Sequence, residues 1–425
     1  MADIHRQEIM QDIRLFTDTP KAKFYDALFL HLKLDAVVKA VAATGNPGYP
    51  KAALLCAFIV MKCEGFGYIT DLVDYLTNNL LIAHFCGFDI TRPLPSYWTF
   101  DRFLKQLDNG ILQEIMQTQV LELAALGIID TSFLGEDSTP VKANTRQNNP
   151  KAFHKDKFSP DNQPAADSDC RLGVQTASNQ HNEKNFEFFW GDKNHVLSDS
   201  ISGLPICELT TATNVKDHMV ALDMLARTHD FLPITECSFL ADKAFDVKAI
   251  YNSVRDTYQG ECFIPLKPRN TKDPKKLHDG VPLCEAALPM RRDGTFSDRN
   301  RTRQKFCCPF KRSKTDCCPC NHKNWNNGRK NRGCTKYITI PNDYRLSIDR
   351  TSIYFKSVYA LRTECERYNS RFKATGQERL WVRNQNSAAN LNTLAHICLL
   401  AIALAAVVTA ADVSYRCIKS LKRIA

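Results

Sequence analysis

Four residues in the last quarter of the 425-residue chain combine the groups that phosphate chemistry needs: Tyr359, Arg362, Glu366 and Lys373, at offsets 0, 3, 7 and 14. On a helix turning about 100° per residue they fall within an arc of roughly 60°. A tyrosine, a carboxylate and two cations on one stripe cannot form a core face, because unpaired buried charge is too costly. The stripe is either a solvated face carrying the i,i+4 pair Arg362–Glu366 or a site that handles a polyanion and a metal together. Glu364, at offset 5, points about 140° away.

Two further carboxylates stand where strands are expected to end. Asp242 closes the apolar run CSFLA, and such a strand directs the next carboxylate out of the sheet edge, where sites form. Asp246 reads as the N-cap of the following helix. Asp137 lies in SFLGEDSTPVKA, with its neighbour Glu136 on the opposite face of the strand. Carboxylates alone suffice for Mg²⁺, a hard cation that keeps several waters. Two such ions about 3.5–4 Å apart can activate an attacking oxygen and stabilise a leaving one in phosphodiester chemistry. Taken singly, each aspartate is a common strand-end residue; the ordered set is what is informative.

The helix motif Tyr-x2-Arg-x3-Glu-x6-Lys resembles the signature of insertion-sequence DDE transposases, and all four positions match. The resemblance implies an α/β fold with an RNase H-like catalytic core and the set Asp137, Asp242 and Glu366 as catalytic, metal-binding carboxylates for Mg²⁺ or Mn²⁺. It puts Tyr359, Arg362 and Lys373 on the DNA-phosphate side. Lys193 and His195, in WGDKNH, are similar to a Lys/His pattern on the second strand of such enzymes, although a solvated hairpin would look the same. The implied activity is cleavage at the element's ends followed by strand transfer. The implied partner is double-stranded DNA, terminal inverted repeats and target alike, bound by a homodimer.

The elements that must position these residues divide the chain. Residues 1–125 read as an all-helical domain: KAALLCAFIVMKCEGF and YITDLVDYLTNNLLIAHF have helical spacing, and Ser96 is the expected N-cap of SYWTFDRFLKQL. Pro95, Ser96, Thr99, Arg102, Phe103 and Leu107 resemble the start of the family's N-terminal helical domain, which implies a role in DNA-end binding or dimer contacts. Residues 126–425 read as the catalytic domain. They run strand, hairpin, helix, strand, helix, strand, with a polar surface loop over about 146–185 and Asp217 as N-cap of HMVALDMLARTHD. ICLLAIALAAVVTAA, Ile397 to Ala411, is too short for a membrane span and reads as a buried core helix.

A basic, cysteine-rich insertion at 268–340 interrupts that domain. Lys267 to Lys336 holds nineteen Lys and Arg against six acids, a local charge of +13 in a chain whose net charge is +10. This is the electrostatic footprint of a phosphate-backbone partner. Six of the seventeen cysteines fall between Cys307 and Cys334. The chain opens without a signal peptide, so thiols or a metal site are expected ahead of disulfides. Cys317 and Cys320 form a knuckle that Cys308, or Cys307, and Cys334 could complete as a structural zinc site, with His322 a competing ligand. The cytoplasm of a prokaryote is the expected location. The alternative function is a non-catalytic, zinc-containing DNA-binding regulator; a decayed copy that binds without cutting is a third reading.

Overall fold

The computed structural model of the protein describes residues 19–32, 34, 48–146, 159, 163–178, 184–267, 277–278, 280–298, 301–311, 333–340 and 344–408. They form two compact units. The first holds residues up to 131, 135–233 and those from 363 onward; the second holds 132–134 and 234–362.

The first unit opens with helices α1 (Pro20–Leu30), α2 (Lys51–Glu64), α3 (Ile69–Asn78), α4 (Leu80–Phe85), α5 (Tyr97–Gln106) and α6 (Asn109–Ala125). Helix α2 is apolar on every face from Ala53 to Met61 and is buried from Ala53 to Cys63. It stops at Gly65, whose φ of 74° is the left-handed conformation glycine tolerates. Ser96 occupies the N-cap of α5, but its side chain makes no capping hydrogen bond.

Strands β1 (Phe133–Lys142), β2 (Arg171–Ser178), β3 (Lys184–Asp199) and β4 (Pro205–Ala212) follow, then helix α7 (Asp217–Phe231). The long β3 lies between β1 and β2, and β4 pairs with its other half, Asp192 opposite Ala212. Strand β2 corrects the expected surface loop. Its alternating sequence RLGVQTAS is weakly apolar and acquires a partner only through β3, Arg171 opposite Gly191. Asp217 is likewise not the cap of α7: Lys216 holds that position and Asp217 is the first helical residue.

The N-terminal helices, expected as a domain of their own, belong to the same compact unit as these strands. The reason is the helix here called α12 (Gln385–Val408), which is longer than the expected core helix and buried along most of its length. Its polar residues tie it to that region: Asn390 Nδ2 donates to the carbonyls of Leu104 and Leu107 at 2.9 Å, and Asn109 donates to Thr393 Oγ1 at 2.9 Å.

The second unit contains β5 (Ser238–Ala241), α8 (Lys248–Asp256) and β6 (Glu261–Phe263), with β5 and β6 parallel. The residues that lead into β1 also belong here, and Ser238 N–H donates to Ser132 O at 2.7 Å. The stretch expected as an insertion carries strands of its own among the described residues. A hairpin of β7 (Leu277–His278) and β8 (Val281–Pro282) precedes an antiparallel sheet of β9 (Arg291–Asp298), β10 (Arg301–Cys307) and β11 (Thr335–Ile340). Val281, Cys284, Met290, Phe306, Cys308 and Cys334 make its small core.

After α9 (Tyr344–Ser347), the motif segment differs from the single helix its spacing predicts. Helix α10 (Ile353–Tyr359) gives way to a 3₁₀ turn at Ala360–Arg362, then α11 (Thr363–Phe372), then a π turn at Lys373–Gln377. A 3₁₀ turn has three residues per revolution and a π turn more than 3.6, so the uniform 100° step fails at both ends of the motif.

Candidate active site

Asp137 is the fifth residue of β1. The strand's alternation leaves it half-buried while Glu136 is fully buried on the other face. Asp137 Oδ2 accepts a 3.0 Å hydrogen bond from Asn369 Nδ2, and Asn369 sits three residues after Glu366 on α11. One turn of that helix therefore carries an exposed carboxylate, Glu366, and the amide that holds Asp137. Close packing sets the helix against the strands: a side-chain carbon at Gly135 would fall 2.3 Å from Cys365 Sγ and 2.5 Å from Ser200 Oγ. Glu364, half-buried, is paired with Arg367, as its different direction on the helix requires.

Beneath this helix runs a buried polar chain. Tyr368 OH bonds His396 Nδ1; His396 Nε2 lies 3.0 Å from Asn194 Oδ1; Asn194 donates to Glu208 at 2.7 Å; and Glu208 also accepts from Thr393 at 2.6 Å and from Gln113. Every member has a partner, the condition under which such a network rigidifies a core. Burial pushes the His396 pKa down to about 3 and raises that of Glu208.

Lys193 and His195 lie two residues apart on β3 and face one carboxylate. Lys193 Nζ donates to Asp217 Oδ1 at 2.9 Å and to Val215 O at 3.1 Å, and Ser138 Oγ donates to Asp217 Oδ1 at 2.9 Å. His195 is fully buried, with Nδ1 3.7 Å from Asp217 and Nε2 2.9 Å from Thr211 Oγ1. Burial pushes its pKa down to about 4, so the ring is neutral at pH 7.

Lys373 opens the π turn that follows α11. That turn docks against the end of α2: Gly376, at φ 86°, packs so that a Cβ would meet Phe66 O at 2.9 Å, and the buried Lys62 donates to Gln377 Oε1 at 3.0 Å. Burial lowers the Lys62 pKa to about 7.

In the second unit Asp242 ends β5, as the apolar run predicts. It caps the 3₁₀ turn Lys243–Phe245 by accepting from Ala244 N–H at 2.6 Å. The expectation that Asp246 caps the next helix is corrected. Val247 holds the cap, and Asp246 is buried with both oxygens 3.2 Å from Arg345 Nη1. Asp246 also accepts from Tyr251 OH and from the Lys267 N–H at 2.9 Å. Arg362 Nε donates to Tyr359 OH at 3.2 Å, and Tyr359 stacks on Phe355.

Of the zinc set, Cys308 and Cys334 are brought together: both are buried and Cys308 N–H donates to Cys334 O at 2.9 Å. Cys317 and Cys320 lie outside the described residues. Among the described residues no three of His, Cys, Asp and Glu gather into a group that could hold a metal.

Sequence reasoning missed Asn369, Asp217 and the His396 network. The signals available were an amide one turn after Glu366, and the polar residues Asn390, Asn392, Thr393 and His396 preceding an apolar run.

A family model described as the transposase DDE domain matches residues 136–401, and a transposase domain model matches residues 15–106. The chain belongs to the DDE transposase family, and its activity is DNA transposition. No curated protein matches it. A cryo-EM structure of a piggyBac transposase synaptic complex with hairpin DNA aligns over 98% of this chain and 80% of its own, at 11% identity and a TM-score of 0.41, too distant to fix the fold.

Proposed function

We propose that the chain cuts DNA at the ends of an insertion sequence and joins the freed 3′ ends to target DNA, with Asp137, Asp242 and Glu366 as the metal-binding carboxylates of an RNase H-like core. The observation that carries the reading is the family match over 136–401, which spans all three residues in order. The Asn369–Asp137 hydrogen bond supports it by linking the helix of Glu366 to the strand of Asp137. The donor set suits Mg²⁺ or Mn²⁺, since it is all carboxylate oxygen. Bound, two such ions supply activation of the attacking oxygen and stabilisation of the leaving one.

The chain's own residues position the substrate. Asn369 orients Asp137; Arg362, with Tyr359 beside it, offers a guanidinium to phosphate; Lys373 adds a point charge from the π turn. Lys193 reaches a phosphate only by leaving Asp217, so the two compete. Double-stranded DNA is the partner and a homodimer the assembly, with part of end recognition in the N-terminal helices. Cys308, Cys317, Cys320 and Cys334 hold a structural zinc in the insertion, in the cytoplasm of a prokaryote. Cys284, in the same small core, is a further candidate ligand.

The test is metal-dependent nicking of duplex DNA by the full chain. Asp137→Ala, Asp242→Ala and Glu366→Ala should each remove cleavage and keep DNA binding, while Glu364→Ala keeps both. Cleavage within a few-fold of wild type for any of the three removes it from the set. Loss of binding together with cleavage in all of them would favour a DNA-binding protein without catalysis.

A further inference from the structure

Beyond the end of β1 the chain builds a second charged site that the carboxylates do not use. Residues 378–383 run extended alongside the strand: Leu380 N–H donates to Lys142 O at 2.9 Å, Lys142 N–H donates to Glu378 O at 3.2 Å, and Lys142 and Arg379 form a parallel bridge. An extended segment alternates its faces. Leu380 and Val382 accordingly point into the core at 2% and 8% exposure, and Arg379, Trp381 and Arg383 point the other way. Asn384, at φ 69°, ends the segment, and its side chain caps α12 through Ser387 N–H at 2.8 Å.

Arg379, Trp381 and Arg383 line a cavity of about 350 Å³ with Asn144, Thr145 and Arg146. That volume is at the small end for a ligand site. Trp381 stacks on Tyr68 with ring centres 4.4 Å apart, and the Arg379 guanidinium lies 4.8 Å from its ring centre. Asn144 Nδ2 reaches Trp381 O at 3.4 Å. Thr145 Oγ1 is buried without a hydrogen-bond partner among the described residues. Nor does any carboxylate of the described residues pair with Arg146, Arg379 or Arg383. Three guanidiniums round one cavity repel each other at a cost that an anion would relieve.

We infer that this cavity seats a phosphodiester group of the DNA strand, a subsite separate from the three carboxylates; the inference rests on the DNA-cutting function proposed above. Five strand residues separate Asp137 from Lys142, about 17 Å at 3.3–3.4 Å each. The subsite therefore meets the strand several nucleotides from the cut. Two or three arginines give bidentate contacts there, and the Thr145 hydroxyl gains a partner.

The test measures binding of the full chain to a labelled duplex of arbitrary sequence by anisotropy, across a salt series. Each phosphate contact contributes a slope of about −0.9 in log K against log salt. Replacing Arg146, Arg379 and Arg383 together with Gln should flatten the slope by about one to two units and weaken binding at low salt about tenfold. The triple Lys variant keeps the charge and should keep the wild-type slope. An unchanged slope in the Gln variant overturns the subsite while leaving the DNA function standing. Equal loss in the Lys variant also overturns it, since the effect would then be on folding. A mononucleotide displacing the duplex as well as unlabelled DNA does, at equal phosphate concentration, would assign the cavity to a free nucleotide and overturn it too. No salt-dependent binding by the wild type would instead sink the function on which the inference rests.

Discussion

Glu136 and Asp246 invite comparison. Each follows or precedes a proposed metal-binding aspartate by a few residues, each is closed off from solvent, and each is held in an opposite way. Asp246 meets Arg345 through both oxygens, accepts from Tyr251 and from the Lys267 backbone, and is second neighbour to Arg350, which donates to Tyr251 at 2.9 Å. Glu136 has neither carboxylate oxygen hydrogen-bonded among the described residues. Burial, then the nearby charges of Asp217 and Asp137, raises its pKa well above the usual carboxylate range. The difference teaches what a buried acid is for. Lys267 and Arg345 stand at the two ends of the insertion, so Asp246 ties its entry and exit together. Glu136 makes no such tie among the described residues, and burial favours its neutral form, which spares β1 a second charge beside Asp137.

The largest effect that would break this comparison is removal of one partner of the Asp246 pair. Asp246→Ala or Arg345→Ala should each cost about 3–5 kcal/mol, because each leaves an uncompensated buried group. Chemical denaturation reads it, and a loss under 1 kcal/mol would mean that water reaches the site. Next comes Asn369→Ala. Losing a hydrogen bond to a charged group should slow cleavage about tenfold with DNA affinity unchanged, whereas equal rates would show that Asp137 needs no such support.

The third variant is Glu136→Gln, expected to match wild type in stability below the unfolded carboxylate pKa of about 4.3 and to exceed it increasingly as pH rises. Its value lies in the pH profile. Because the folded-state pKa is raised, the contribution of Glu136 is fully present below the unfolded pKa and is lost as pH rises; Gln should abolish that decline. A wild-type profile in the Gln variant would assign the titration elsewhere. His195 and His396 act with the opposite sign. Both are held neutral in the fold, at pKa values of about 4 and about 3, so stability should fall as pH drops below the unfolded value near 6.5. His195→Gln should reduce that acid-side loss without touching the alkaline side.

The local setting of two proposed site residues could be read before folding. Asp242 was legible because an apolar run stops at it, and Asp137 because strand alternation separates it from Glu136. The family signature pointed to Glu366 over Glu364; Glu366 is exposed, and Glu364 is paired with Arg367. What could not be read depends on distant chain. Strand β2 is polar and pairs only once β3 is present. The 3₁₀ turn at 360–362 leaves no periodic trace, since three residues are too few to shift a pattern. The three-stranded sheet of β9, β10 and β11 was not legible, because its basic strands lack apolar alternation and pair across distant chain. Asp217 looked like a cap and proved to be a counter-charge for Lys193, a role set by a hairpin two dozen residues upstream.

The π turn that carries Lys373 rests its Gly376 on the carbonyls of Gly65 and Phe66, and Lys62 reaches Gln377 beside it. Such a joint limits what recombination between related elements can exchange. A crossover that swapped the first hundred residues alone would bring a foreign helix end to this seat. The incoming lysine, the two glycines and the segment from 373 to 392 would then have to travel together. Successful chimeras of this chain should therefore inherit the C-terminal helix from the same parent as α2.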